Sequence, residues 1–201
     1  MIQYKIPTND SIDEKIKKFD SDQREKEAAL QFIFEQSGTE EAILAQAYLL
    51  NALYSTHVDY DSLVGISKAI YKKNIIDKII TIGRESSIEK KCKLVQEIAG
   101  YGKKSYVSFA SKFCNWVCLA RDNQNCKSYP ISDCNSRKAI CIINNSFMGK
   151  SISETICNNY RDFFLAYIEV HEKYASKYSY KNFDKYLWSY VNSESDTPSN
   201  A

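Results

Sequence analysis

The chain is poor in the residues that punctuate β structure. Three prolines and six glycines in 201 residues are too few for a sandwich or barrel, where each strand reversal calls for turn residues. Histidine is scarcer still. His57 and His171 have no partner spaced for a metal ion or a catalytic triad, and are expected at the surface or at helix ends. No apolar run reaches the ~18 residues of a membrane span, so no membrane partner is expected. The N-terminus, MIQYKIPTNDSIDEKIKKF, lacks an apolar signal core, which predicts an intracellular protein.

Cysteine is present but patternless. The seven thiols at 92, 114, 118, 126, 134, 141 and 157 are odd in number and carry no secretory context, which argues against a disulfide framework. Cys114, Cys118, Cys126 and Cys134 are separated by four, eight and eight residues and lack the CxxC pair of a zinc site. Reduced thiols packed as small apolar groups are expected, and no metal or cofactor is assigned.

What the chain does have suits a soluble globular protein: 44% hydrophobic and 26% charged residues, in a length that makes one domain or two small lobes. The net charge of +2 conceals a gradient. Residues 1–67 carry 6 basic and 12 acidic side chains, residues 68–112 carry 11 and 4, and residues 113–201 carry 10 and 9. A middle segment with a net of +7 is what a phosphate-facing surface looks like, although lysines on any solvated helix face give the same tally.

Apolar residues recur at helical spacing almost throughout, so the fold class is all-α. Residues 11–20 and 24–35 read as two helices. Residues 39–54 begin TEEA, a cap followed by acids that suit the helix dipole. They are then apolar nearly all round, predicting a central buried helix. Further helices are expected at 61–71, at 74–82 (ended by Gly83), at 87–98 and at 105–116. Beyond a polar loop at 119–129, helices are expected at 133–143, over 151–178 as one or two, and at 182–191 behind an Asn182 cap. The end SESDTPSNA, 193–201, has the composition of a disordered tail. Tyrosines at 167, 174, 178, 180, 186 and 190 with Trp188 fit helix packing better than base stacking.

One joint stands out. In IAGYGKKSYVSFASKFCNW, 98–116, two glycines flank a tyrosine between two helical segments. A Gly-x-Gly turn lets backbone approach another molecule closely. If the second helix starts near Lys103, its free N–H groups offer a seat for an anion such as a DNA phosphate.

Taken with its surroundings, the turn resembles the hairpin of the helix-hairpin-helix DNA glycosylase superfamily, among divergent relatives of the endonuclease III and 8-oxoguanine glycosylase types. IAGYGKKS (98–105) is similar to that hairpin. YPISD (129–133) resembles the segment bearing the family's aspartate, and LLNALYST (49–56) resembles its lesion-facing helix end. The resemblance implies a monomer that binds double-stranded DNA, extrudes a modified base and cleaves its N-glycosidic bond. It implies Lys104 as the nucleophile that forms a Schiff base, giving abasic-site lyase activity, and Asp133 as the carboxylate supporting attack and the developing sugar cation. Gly100, Tyr101, Gly102, Lys103 and Ser105 would hold the phosphate backbone, with Lys112 and Arg137 adding contacts. Asn51 and Leu53 would face the lesion, Leu53 as an apolar wedge where a glutamine is usual.

A lysine attacks only as the neutral amine, scarce at pH 7 for an ordinary pKa of about 10.4. The role therefore asks for burial or a neighbouring cation such as Lys103. Two lobes follow from the resemblance: 39–132 with the hairpin, and 1–38 joined to 133–192, with the site in the cleft between them. Ala99 replaces the usual proline, Cys-Asn-Ser follows Asp133, and no four-cysteine iron–sulfur pattern is present. The expected location is the cytoplasm, or the nucleoid or nucleus.

Overall fold

The computed structural model describes residues 4–36, 38–122, 129–153, 155 and 159–192. Every regular element among them is an α-helix, so the fold is all-α. Two compact units emerge, one from Glu25–Ile131 and one from Met1–Arg24 with Ser132–Ala201. We call them the central and terminal units. The tail expected to be disordered lies outside the described residues, as does the loop sequence 123–128.

Helix α1 (Asn9–Phe34) is continuous where two helices were expected, because SDQR at 21–24 contains neither glycine nor proline to break it. The division between units falls within α1, at Arg24 and Glu25, rather than after residue 38. Phe34 explains the shift: its ring meets those of Phe113 and Trp116 at 5.3 and 6.2 Å, which ties this end of α1 into the central core.

The central unit continues with α2 (Glu40–Tyr54), α3 (Tyr60–Lys72), α4 (Ile75–Arg84), α5 (Ile88–Ala99) and α6 (Val107–Asp122). Caps fix several starts. Thr39, Asp59 and Ser87 each accept a hydrogen bond from the N–H three residues on, satisfying a donor the helix leaves open. Gly83 does not end α4. It is buried inside that helix, which runs one residue further. The central helix is α6 and not α2: α6 is buried on every side from Phe109 to Cys118, whereas α2 buries only the face of Ile43, Gln46, Ala47 and Leu50.

The terminal unit adds α7 (Cys134–Phe147), α8 (Tyr160–Tyr174) and α9 (Tyr180–Asn192). Its core is aromatic, with Tyr160, Phe163, Tyr167, Phe183 and Tyr186 buried. His171, expected at the surface or at a helix end, lies in the last turn of α8 and is buried with them. Its ring stacks on Tyr167 and meets Tyr180 and Phe183 edge-on, with Nε2 2.9 Å from the Tyr178 carbonyl. The tyrosine hydroxyls brace backbone: Tyr167 donates to the Tyr180 carbonyl, Tyr174 to that of Phe147, and Tyr190 to that of Lys5. Cys92, Cys114 and Cys141 are buried thiols outside any disulfide, and Cys134 is an exposed one. Cys118 is disulfide-bonded, against the expectation of reduced thiols throughout. No cluster of three metal-ligating side chains occurs among the described residues, and none of their helices is long and apolar enough to cross a membrane.

Candidate nucleic-acid interface

The Gly-Tyr-Gly joint lies between α5 and α6. Gly100 closes α5 with φ −83° and ψ −2°, a conformation any residue adopts, and its N–H donates to the Gln96 and Glu97 carbonyls. The second helix begins at Val107, not near Lys103, so the N–H of Lys103 is not a free helix-end donor. It donates to the Ser62 hydroxyl of α3 at 3.0 Å. The N–H of Tyr106 returns to the Ala99 carbonyl at 3.1 Å and closes the turn.

Gly102 is the glycine whose missing side chain matters. A Cβ there would fall 2.6 Å from Cε2 of Tyr106 and 3.2 Å from Cβ of Ser62. The close approach that this residue permits is made by the chain's own Tyr106 ring, which is only 6% exposed.

Below that ring lies Asp59, the cap of α3. Its carboxylate accepts from the Tyr106 hydroxyl, from the Ser62 hydroxyl at 2.8 Å and from the Ser62 N–H at 3.0 Å. The Tyr106 hydroxyl, then the Ser62 donors, hold the Asp59 carboxyl well below the usual carboxylate range, against a smaller push upward from desolvation. A depressed carboxyl stabilises the fold above its unfolded pKa of about 3.9, and that stability goes as the pH falls through the folded value. Asp59 therefore stays ionised at neutral pH.

The two adjacent lysines part company at this point. The Lys103 ammonium sits 2.7 Å from Asp61 and 3.7 Å from Asp59, and the Asp61 bond raises its pKa. Lys104 is exposed, with its ammonium 5.4 Å from the Tyr106 ring centroid. Burial, one of the two ways of favouring a neutral amine, is not what the turn gives Lys104. Ser105 is exposed beside it. Tyr101 is half-buried. Its hydroxyl bonds Glu97, and Lys73 lies 4.4 Å from its ring centroid while pairing with Glu97 at 3.6 Å.

The remaining candidates separate by environment. Lys112 is buried, 3% exposed, with its ammonium 3.1 Å from the Ser108 hydroxyl and over the Tyr54 ring; it does not face solvent as a phosphate contact requires. Asn51 braces the chain after α2: its Oδ1 accepts from the Thr56 hydroxyl and the Val58 N–H, and its Nδ2 donates to the Val58 carbonyl. Those bonds hold a loop in which Ser55 and His57 adopt φ of +46° and +55°. Leu53 is half-buried on α2. In the terminal unit, Asp133 caps α7, accepting the Ser136 N–H at 2.9 Å. Arg137 follows one turn later and reaches the Ser132 carbonyl at 3.4 Å.

Asp59, Ser62 and Tyr106 are the residues that sequence reasoning missed. Their local signal identifies a helix cap and a core tyrosine, and nothing in it announces that the two meet across more than 40 residues. Searches of curated proteins and of solved structures each returned no match. A comparison with family models matches HI_0787_N, described as an N-terminal domain, over residues 11–122. The match enters within α1, takes in the Gly-Tyr-Gly joint and ends with α6, covering more than half of the 201 residues. By that span the chain belongs to the HI_0787_N family.

Proposed function

We propose that the protein binds duplex DNA at the α5–turn–α6 hairpin and acts there as a glycosylase with abasic-site lyase activity. The observation that carries the reading is the contrast between the two lysines of the turn. Lys103 is held as a cation by Asp61 and Asp59, which commits it to positioning the turn on α3. Lys104 projects from the same braced backbone with its ammonium exposed, so of the pair it is the one able to reach a bound sugar.

In the reaction, the amine of Lys104 attacks C1′ of an extruded nucleotide. The C1′–N bond breaks, the base leaves with a proton, and ring opening gives a Schiff base whose β-elimination cuts the strand. The resemblance assigns Asp133 to stabilising positive charge on the sugar. Its side chain is fixed in direction by the Ser136 N–H.

Borohydride trapping on a duplex carrying an abasic site tests the reading. A covalent adduct is expected with the native protein and with Lys103→Ala, and is expected to vanish in Lys104→Ala. An adduct that survives Lys104→Ala, or no adduct and no base release across a panel of damaged bases, overturns it. The exposure of Lys104 and the capping bond of Asp133 favour one second reading, a DNA-binding protein without chemistry. Salt-sensitive duplex binding unaffected by Asp133→Asn, with no adduct, identifies that case.

A further inference from the structure

Helix α3 buries Ser62, Leu63, Ile66, Ser67 and Ile70 and turns Asp61, Lys68, Tyr71 and Lys72 outward. Residues three and four apart on a helix share a face, so Asp61, Gly65, Lys68 and Lys72 form one stripe. Its first member is the acid that holds Lys103. Its second faces the turn: a Cβ on Gly65 would lie 3.7 Å from the Tyr101 carbonyl. The stripe therefore starts at the hairpin and runs away from it along α3.

Its two lysines are uncompensated. Their neighbours at three and four positions are Val64, Gly65, Tyr71, Ala69, Ile75 and Ile76, none of them acidic, and neither lysine has an ion pair among the described residues. Like charges four apart weaken a helix, so the pair is a cost to folding with no internal return. Two other cations beside the turn are matched, Lys103 by Asp61 and Lys73 by Glu97. Gly65 adds a second unreturned cost. Glycine is a poor mid-helix residue, and at 3.7 Å an alanine would make only ordinary contact, so packing does not demand it. The missing side chain leaves the α3 backbone bare beside the Tyr101 carbonyl, where the stripe leaves the turn.

We infer that Lys68 and Lys72 are phosphate-contacting residues that extend the DNA-binding face from the hairpin along α3, with Gly65 leaving room for the strand. The inference rests on the duplex-binding reading above and names the surface that would supply its affinity. The two lysines stand about 6 Å apart along the helix axis, within reach of successive phosphates of one strand.

The test is duplex binding measured against salt for the native protein, for Lys68→Gln with Lys72→Gln, and for a control pair, Lys90→Gln with Lys93→Gln. Lys90 is paired with Glu85, and Lys93 lies four residues from both Glu89 and Glu97. Each lost phosphate contact lowers the slope of log affinity against log salt by about 0.9. The Lys68/Lys72 variant is therefore expected to lose about 1.8 from its slope, while the control keeps the native slope. The variant is also expected to be at least as stable to urea as the native protein, because a repulsive pair has been removed, so weakened binding is not misfolding. A native slope in the Lys68/Lys72 variant overturns the stripe alone. A native protein that does not bind duplex overturns the stripe together with the reading it rests on.

Discussion

An alanine at Gly102 would press its Cβ to 2.6 and 2.8 Å from two carbons of the Tyr106 ring. That ring cannot swing aside freely, because it is buried and its hydroxyl is bonded to Asp59. Overpacking of this kind typically costs about 1–3 kcal/mol. At Gly100 the nearest atoms to an added Cβ are carbonyl oxygens at 3.4 and 3.6 Å, and the backbone is right-handed, so alanine fits. Urea denaturation is expected to show Gly102→Ala destabilised by that amount and Gly100→Ala within about 0.5 kcal/mol of native. Equal losses at the two positions would mean that the turn is not anchored through Tyr106. The same anchoring separates the lysines chemically, since one is spent holding the turn and its neighbour is not.

At the scale of helices and their ends, Asn51 is the clearest case of a side chain with a structural job. Three hydrogen bonds from one amide fold residues 55–58 against the end of α2, and removing them leaves polar backbone at Val58 unmatched. Asn51→Ala is expected to lower stability by about 1–3 kcal/mol in a denaturant titration. A variant of native stability with impaired base release would instead restore Asn51 to the base pocket.

Much of the helical plan was legible because its signals are local. The Thr39 cap announces itself by residue type and spacing, whereas Asn182, expected to cap the last helix, lies inside α9. Errors arose where distant packing overrode a local rule. Gly83 continues a helix because it is buried, and α1 crosses the expected boundary because Phe34 is drawn to Phe113. The glycines and lysines of the joint between α5 and α6 stand out in the sequence. Their docking on Asp59 and Ser62 does not, since it joins segments more than 40 residues apart through hydroxyl and carboxylate groups that carry no periodicity.

Over the whole molecule, each unit has its own buried core, and tyrosine serves in both. Tyr129 in the central unit is fully buried, donates to the Ile79 carbonyl and carries the Asn115 amide on its own carbonyl. Tyr167 in the terminal unit is fully buried and donates to Tyr180. Burial is the largest cause that raises the pKa of both phenols, to the point that neither ionises while the fold is intact. A raised phenol contributes stability that is whole below its unfolded pKa of about 10 and drains away as the pH climbs past it. The braces that hold backbone at neutral pH thus set an alkaline limit to the fold. Phenolate absorbance, followed upward from pH 9 or so, should rise gradually for exposed tyrosines. The buried ones are expected to add an abrupt step at the pH where far-ultraviolet dichroism collapses, so that the protein reports its own alkaline unfolding without an added label.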